Sequence, residues 1–224
     1  MGFTTNLTTL LIALGLLYFP RQWLRWGKRV LKSEHKSRNR DQNDFDPSGR
    51  REMGDPAVVL KDEFAKVRNY VDLLRGLAGS AVIVGTPYTA SCFAIAAGAP
   101  ANTAKIVLGL KCAILLGAML VQLIRIERKV TLFAPIFFLS GVTFGLCGAP
   151  AAGFAFLLIW TINFGLPNPT AFLGVHAVLI GLFSVLFNGV GNPLLTITAF
   201  LCLFVPVLVS LMSQRPLMLF NRRH

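Results

Sequence analysis

Four side chains stand where chemistry inside a bilayer would need them. Asp72 and Arg75 open a long apolar run, Lys111 sits within the next one, and His176 is the only histidine inside an apolar run, His35 and His224 lying elsewhere. Ionisable groups in such surroundings are costly to desolvate, so each requires a role. Asp72 and Arg75, three residues apart on a helix, can pair with each other and with lipid headgroups. Lys111 follows Lys105 by six residues, roughly 9 Å along a helix. Its side chain leans toward the helix N-terminus, so it can snorkel to that face or bind an anionic headgroup or ligand. A single histidine with no intramembrane acid and no second ligand points to packing rather than to metal, haem or a proton relay. Cys92, Cys112, Cys147 and Cys202 are isolated, without a CxxC pair, and read as small apolar residues. Asp72, Arg75, Lys111 and His176 are therefore candidates for holding a ligand or headgroup. No catalytic group, metal site or cofactor is implied.

The elements that position these groups follow from composition. Of 224 residues, 54% are hydrophobic and 14% charged, against roughly 25% charged in a soluble domain. Residues 20–70 hold 13 basic and 8 acidic side chains, whereas residues 76–224 hold nine charges, of which Glu127 is the only acid. That division excludes a soluble globular domain and predicts an all-α polytopic transmembrane bundle. About seven spans are expected, six being possible, over 4–19, 71–98, 102–124, 131–147, 150–166, 170–187 and 193–213. The basic clusters after the first span, at Arg125–Lys129 and in the tail with Arg215, Arg222 and Arg223 then share one side, placing the N-terminus outside and the C-terminus in the cytoplasm of a bacterial inner membrane. Gly98-Ala99-Pro100, Gly148-Ala149-Pro150 and Gly191-Asn192-Pro193 each place a helix-ending glycine beside a helix-starting proline, so spans two to seven read as three hairpins. Asn6-Leu7-Thr8 matches a glycosylation sequon too short and too close to the membrane to carry weight.

Five segments result. Residues 1–31 form the first span and a basic collar with Trp23 and Trp26; 32–55 form a polar linker expected to be disordered; 56–70 form a cytoplasmic amphipathic helix. Residues 71–213 form the six-span bundle, and 214–224 the tail. The amphipathic expectation rests on Leu60, Phe64, Val67, Val71 and Leu74, an apolar stripe for the membrane surface or a partner. The net charge of +12 is explained by topology, and no nucleic-acid partner is expected.

Tyr70-Val71-Asp72-Leu73-Leu74-Arg75-Gly76-Leu77-Ala78 resembles the opening of the first span in acyltransferase-3-type membrane acyltransferases. The resemblance implies acyl transfer to a carbohydrate or lipid, carries over Asp72 and Arg75, and asks for a histidine further along the same helix. The following residues, GSAVIVGTPYTASCF, contain none. Residue chemistry thus favours a non-catalytic subunit, scaffold or assembly factor of a membrane complex, with lipid, anionic headgroups and other membrane subunits as partners. Small-residue runs such as Gly76-Leu77-Ala78-Gly79-Ser80 suit close helix contacts. The alternatives are a channel or carrier for a neutral or lipidic solute and an acyltransferase-like protein. Ion coupling is disfavoured because spans three to seven carry no acid.

Overall fold

A computed structural model describes residues 2–19, 58–126, 130–189 and 193–219. The basic collar, the linker of 32–55, residues 220–224 of the tail and the Gly191-Asn192 part of the third Gly-x-Pro lie outside the described residues. The fold is mostly helical. Strand β1 (Phe3–Thr5) leads into α1 (Leu7–Tyr18); α2 (Leu60–Phe64) and α3 (Val67–Val84) follow, then β2 (Phe93–Ile95) and α4 (Ala101–Leu123). Next come β3 (Ile124–Ile126), β4 (Val130–Phe133), α5 (Ile136–Ile162), α6 (Pro169–Asn188), α7 (Pro193–Ser213) and β5 (Leu217–Met218). β1 pairs antiparallel with β2 at one end of the bundle, and β3, β4 and β5 form a small sheet at the other, with Leu132 beside Leu217.

Four stretches, Asn102–Leu123, Ile136–Gly165, Pro169–Asn188 and Pro193–Ser213, are long and apolar enough to cross a membrane, and the protein is a membrane protein on that basis. The second stretch is not one rod. Gly148 adopts φ 80° and ψ 164° inside α5. The rings of Phe137 and Trp160 lie 5.6 Å apart and those of Phe144 and Phe156 6.3 Å apart. An unbroken helix would separate residues 137 and 160 by about 35 Å, so the chain folds back at Gly148. The arms α5a (136–147) and α5b (149–162) pack side by side, and the Asn188 amide donates to the Cys147 carbonyl at the turn, 2.7 Å away.

The expected span 71–98 is shorter than its hydropathy suggests: α3 ends at Val84, where Gly85 takes φ +85°. Every carbonyl of its last turn has a donor. Gly85 N–H and the Thr89 hydroxyl reach Ala81, Cys92 N–H reaches Val82, the Ser91 hydroxyl reaches Ile83, and Lys111 reaches Val84. These are the groups a helix end leaves open, and here the returning loop closes them. Gly98, at φ +80°, follows β2 rather than a helix.

The amphipathic helix expected over 56–70 is likewise different. It breaks at Ala65 and Lys66, where Lys66 is extended at φ −90° and ψ 104°. Leu60, Val67, Val71 and Leu74 are exposed, while Asn69, Asp72, Arg75 and Ser80 are buried. Four residues of the apolar stripe thus point away from the bundle, Phe64 turns in against α5, and the polar residues of α3 face inward. Close packing explains why this face is covered: a Cβ on Gly76 would lie 2.3 Å from the Phe138 oxygen, and one on Gly141 2.1 Å from the Leu73 oxygen. α3 and α5a therefore touch backbone to backbone.

Candidate functional site

Asp72 and Arg75 meet as the spacing anticipates, with Arg75 Nη1 3.1 Å from Asp72 Oδ1. Their surroundings are not headgroups. Arg75 is 7% exposed and Asp72 3%, and Arg75 turns its remaining donors onto α1: Nε to the Leu16 carbonyl at 3.0 Å and Nη2 to the Phe19 carbonyl. Gln122 of α4 adds Nε2 bonds of 3.0 Å to both Leu17 and Phe19. A cation at a helix C-terminus meets the negative end of its dipole, and the guanidinium fork serves two carbonyls at once. The Phe138 ring lies 5.8 Å from the guanidinium carbon, within cation–π range. Arg75 thus joins α1, α3 and α5a through one buried charge.

Lys111 has the same role one layer away. Its Nζ donates to the Val84 carbonyl at 2.8 Å, so the ammonium rests on the end of α3. Arg75 and Lys111, 36 positions apart in sequence, are both helix-end caps. The tool for each is chain geometry: α1 and α3 run antiparallel, so their C-termini face opposite ends of the bundle. Asn6 completes α1 at its start, where Oδ1 accepts from Thr9 N–H at 3.2 Å; the sequon asparagine is an N-cap.

His176 is fully buried in α6 and sits edge-on to Phe172 with ring centroids 6.1 Å apart. Both ring nitrogens lack a hydrogen-bond partner, as do Trp160 Nε1 and Thr170 Oγ1 nearby in sequence. The four candidates are not gathered into one centre: Asp72 and Arg75 are together, Lys111 is on the opposite end of α3, and His176 is on another helix pair. Cys92, Cys112, Cys147 and Cys202 are free and buried, and among the described residues no three His, Cys, Asp or Glu side chains are placed to hold a metal.

Two features escaped the sequence reading, Gln122 and the seat of Phe64. Gln122 was hidden at the end of a span, where its position one turn before the basic cluster was the available signal. Asn163 donates to the Val58 carbonyl and ties the residues before α2 to the bundle. Phe64 of α2 inserts among Tyr70, Phe137, Phe156 and Trp160 at centroid distances of 6.2, 5.3, 6.3 and 4.9 Å; it belonged to the apolar stripe, but its partners lie 73 to 96 residues away in sequence apart from Tyr70. No protein-family model, curated protein or solved structure matches the chain.

Proposed function

We propose that the chain is a non-catalytic integral membrane protein, a subunit, scaffold or assembly factor of a membrane complex, with α1, α3, α4, α5a, α5b, α6 and α7 as seven traverses. In this reading β1 and Gly148 face the outside of a bacterial inner membrane and the β3–β4–β5 sheet faces the cytoplasm. The observation that carries it is the use made of charge. Arg75 and Lys111, the two cations placed deepest along the helices, put their donors on helix-end carbonyls, which fastens helices together and leaves a surface of apolar side chains such as Leu157, Leu182 and Leu211. The orientation is supported by Arg125 in β3 and Arg215 just before β5 lying at the same end of the bundle. Purification of the tagged chain in mild detergent tests the proposal: the expected result is a stable assembly containing other membrane proteins. A monodisperse, partner-free species from native membrane would remove it.

A second reading, a carrier for a neutral solute, is favoured by one observation, the buried His176 with both nitrogens unpartnered. Buried polar atoms are ordinarily satisfied, and a hydrogen-bonding solute would satisfy these. Solute flux into proteoliposomes that disappears in His176→Phe would move the assignment to this reading.

A further inference from the structure

The segment around α2 is fastened over the end of α5b. The Asn163 amide donates to the Val58 carbonyl, and the Phe64 ring lies 4.9 Å from that of Trp160 and 5.3 Å from that of Phe137. Two polar atoms beneath this cover are left open. Trp160 and Asn163 are 6 and 4% exposed, yet among the described residues neither the Trp160 indole N–H nor Asn163 Oδ1 has a hydrogen-bond partner. Three positions apart, the two side chains share a helix face, so a donor and an acceptor are presented together.

Buried polar groups are paired in nearly all folded proteins, and a buried indole N–H ordinarily finds an acceptor. A group that both accepts and donates would satisfy the two at once. A hydroxyl does so with one oxygen, accepting from the indole N–H and donating to Asn163 Oδ1. The surroundings narrow the class further. Both groups are neutral, and the charged side chains beside Phe64, Glu63 and Lys66, already pair at 2.6 Å, so nothing here singles out a phosphate. The rings of Tyr70, Phe137, Phe156 and Trp160 form an apolar box around Phe64. Phe64 itself is partly exposed, so its ring stands at the mouth of that box. In the topology proposed above, the last turn of α5b lies at the membrane interface, where a ligand can keep a polar head at headgroup depth and a chain in the hydrocarbon.

We propose that this corner of the bundle binds a neutral, hydroxyl-headed amphiphile, such as a long-chain alcohol or a diacylglycerol. Trp160 and Asn163 hold its hydroxyl, and its chain takes the place of the Phe64 ring. Asn163 keeps its bond to Val58 throughout, because the ligand uses Oδ1 and the latch uses the amide nitrogen. This goes beyond a role as a subunit and does not involve His176, since it requires neither a protein partner nor passage of the ligand across the membrane.

The test uses the whole chain in dioleoyl phosphatidylcholine vesicles, carrying Trp23→Phe and Trp26→Phe so that Trp160 is the only tryptophan left. Dibrominated oleyl alcohol is added and quenching of the Trp160 emission is followed. Dibrominated methyl oleate, which has a similar chain but no hydroxyl to donate, is the comparison. The expected quenching saturates, at a mole fraction about tenfold lower for the alcohol than for the ester. In Asn163→Leu that preference disappears, and in Phe64→Ala the alcohol binds several-fold more tightly. Quenching that rises without saturating, or that is equal for alcohol and ester, overturns the proposal whether or not the variants fold. An unchanged affinity for the alcohol in Phe64→Ala removes Phe64 as the displaced ring.

Discussion

α3 and α6 lie against the same hairpin, α5, but present different faces to it. α3 turns Asn69, Asp72, Arg75 and Ser80 inward and satisfies them within α2 and α3, as Asn69 on Glu63, Arg75 on Asp72 and Ser80 on the Gly76 carbonyl, while glycine lets its backbone meet that of α5a. α6 turns Phe172, Leu173, His176, Ala177 and Ile180 inward and packs by rings and methyls along its length, with polar bonds near its end, Asn188 to the Cys147 carbonyl of α5 and Ser184 to Thr196 of α7, each 2.7 Å. In lipid there is no hydrophobic drive to join helices, because acyl chains are as apolar as leucine. The Arg75 bonds to α1 and the close backbone approach at Gly76 and Gly141 fix α3 at one rotation and one depth. On α6 the directed bonds are gathered near one end.

The largest test of this difference is Arg75→Ala. It strips the caps from α1 and leaves the Asp72 carboxylate buried without its cation, an expected loss of about 3 to 5 kcal/mol, read by unfolding in detergent. Removing Asp72 as well should restore part of it; a double variant as unstable as the single one would mean the pair is not coupled. Gly141→Ala comes next. Its Cβ would press on the Leu73 oxygen, forcing α3 and α5a apart for about 1 to 3 kcal/mol. On the other helix, Gly174→Ala meets nothing within 4 Å, so helix propensity alone should stabilise it by about 0.5 to 1 kcal/mol. The smallest effect is expected for His176→Leu, near neutral because no hydrogen bond is lost; a large destabilisation there would show that the inward face of α6 also depends on a polar group, and the contrast would fail.

Much of the bundle was legible from residue type. The reversal at Gly148-Ala149-Pro150 was readable because glycine supplies the positive φ and proline starts the next arm. The Asp72–Arg75 pair followed from helical spacing. The end of α3 was missed because residues 85–98 are apolar enough to continue a span, although Gly85-Thr86-Pro87 repeats the same Gly-x-Pro signal. The 60–74 stripe was expected to face the membrane surface or a partner, and Leu60, Val67, Val71 and Leu74 are exposed; what the spacing did not show is the break at Ala65 and Lys66 and the inward seat of Phe64. The cap made by Gln122 and the seat of Phe64 depend on residues distant in sequence, and local pattern does not encode such pairings.

The fold-back at Gly148 also bears on how the protein is made. Neither α5a nor α5b has the roughly 20 apolar residues that enter a membrane alone, so the two arms are expected to insert together, as a pair joined at Gly148. Until they do, the glycine-lined face of α3 lacks the backbone it packs against. Synthesis order makes this a real interval: α3, α4 and β3 all leave the ribosome before the segment that completes them.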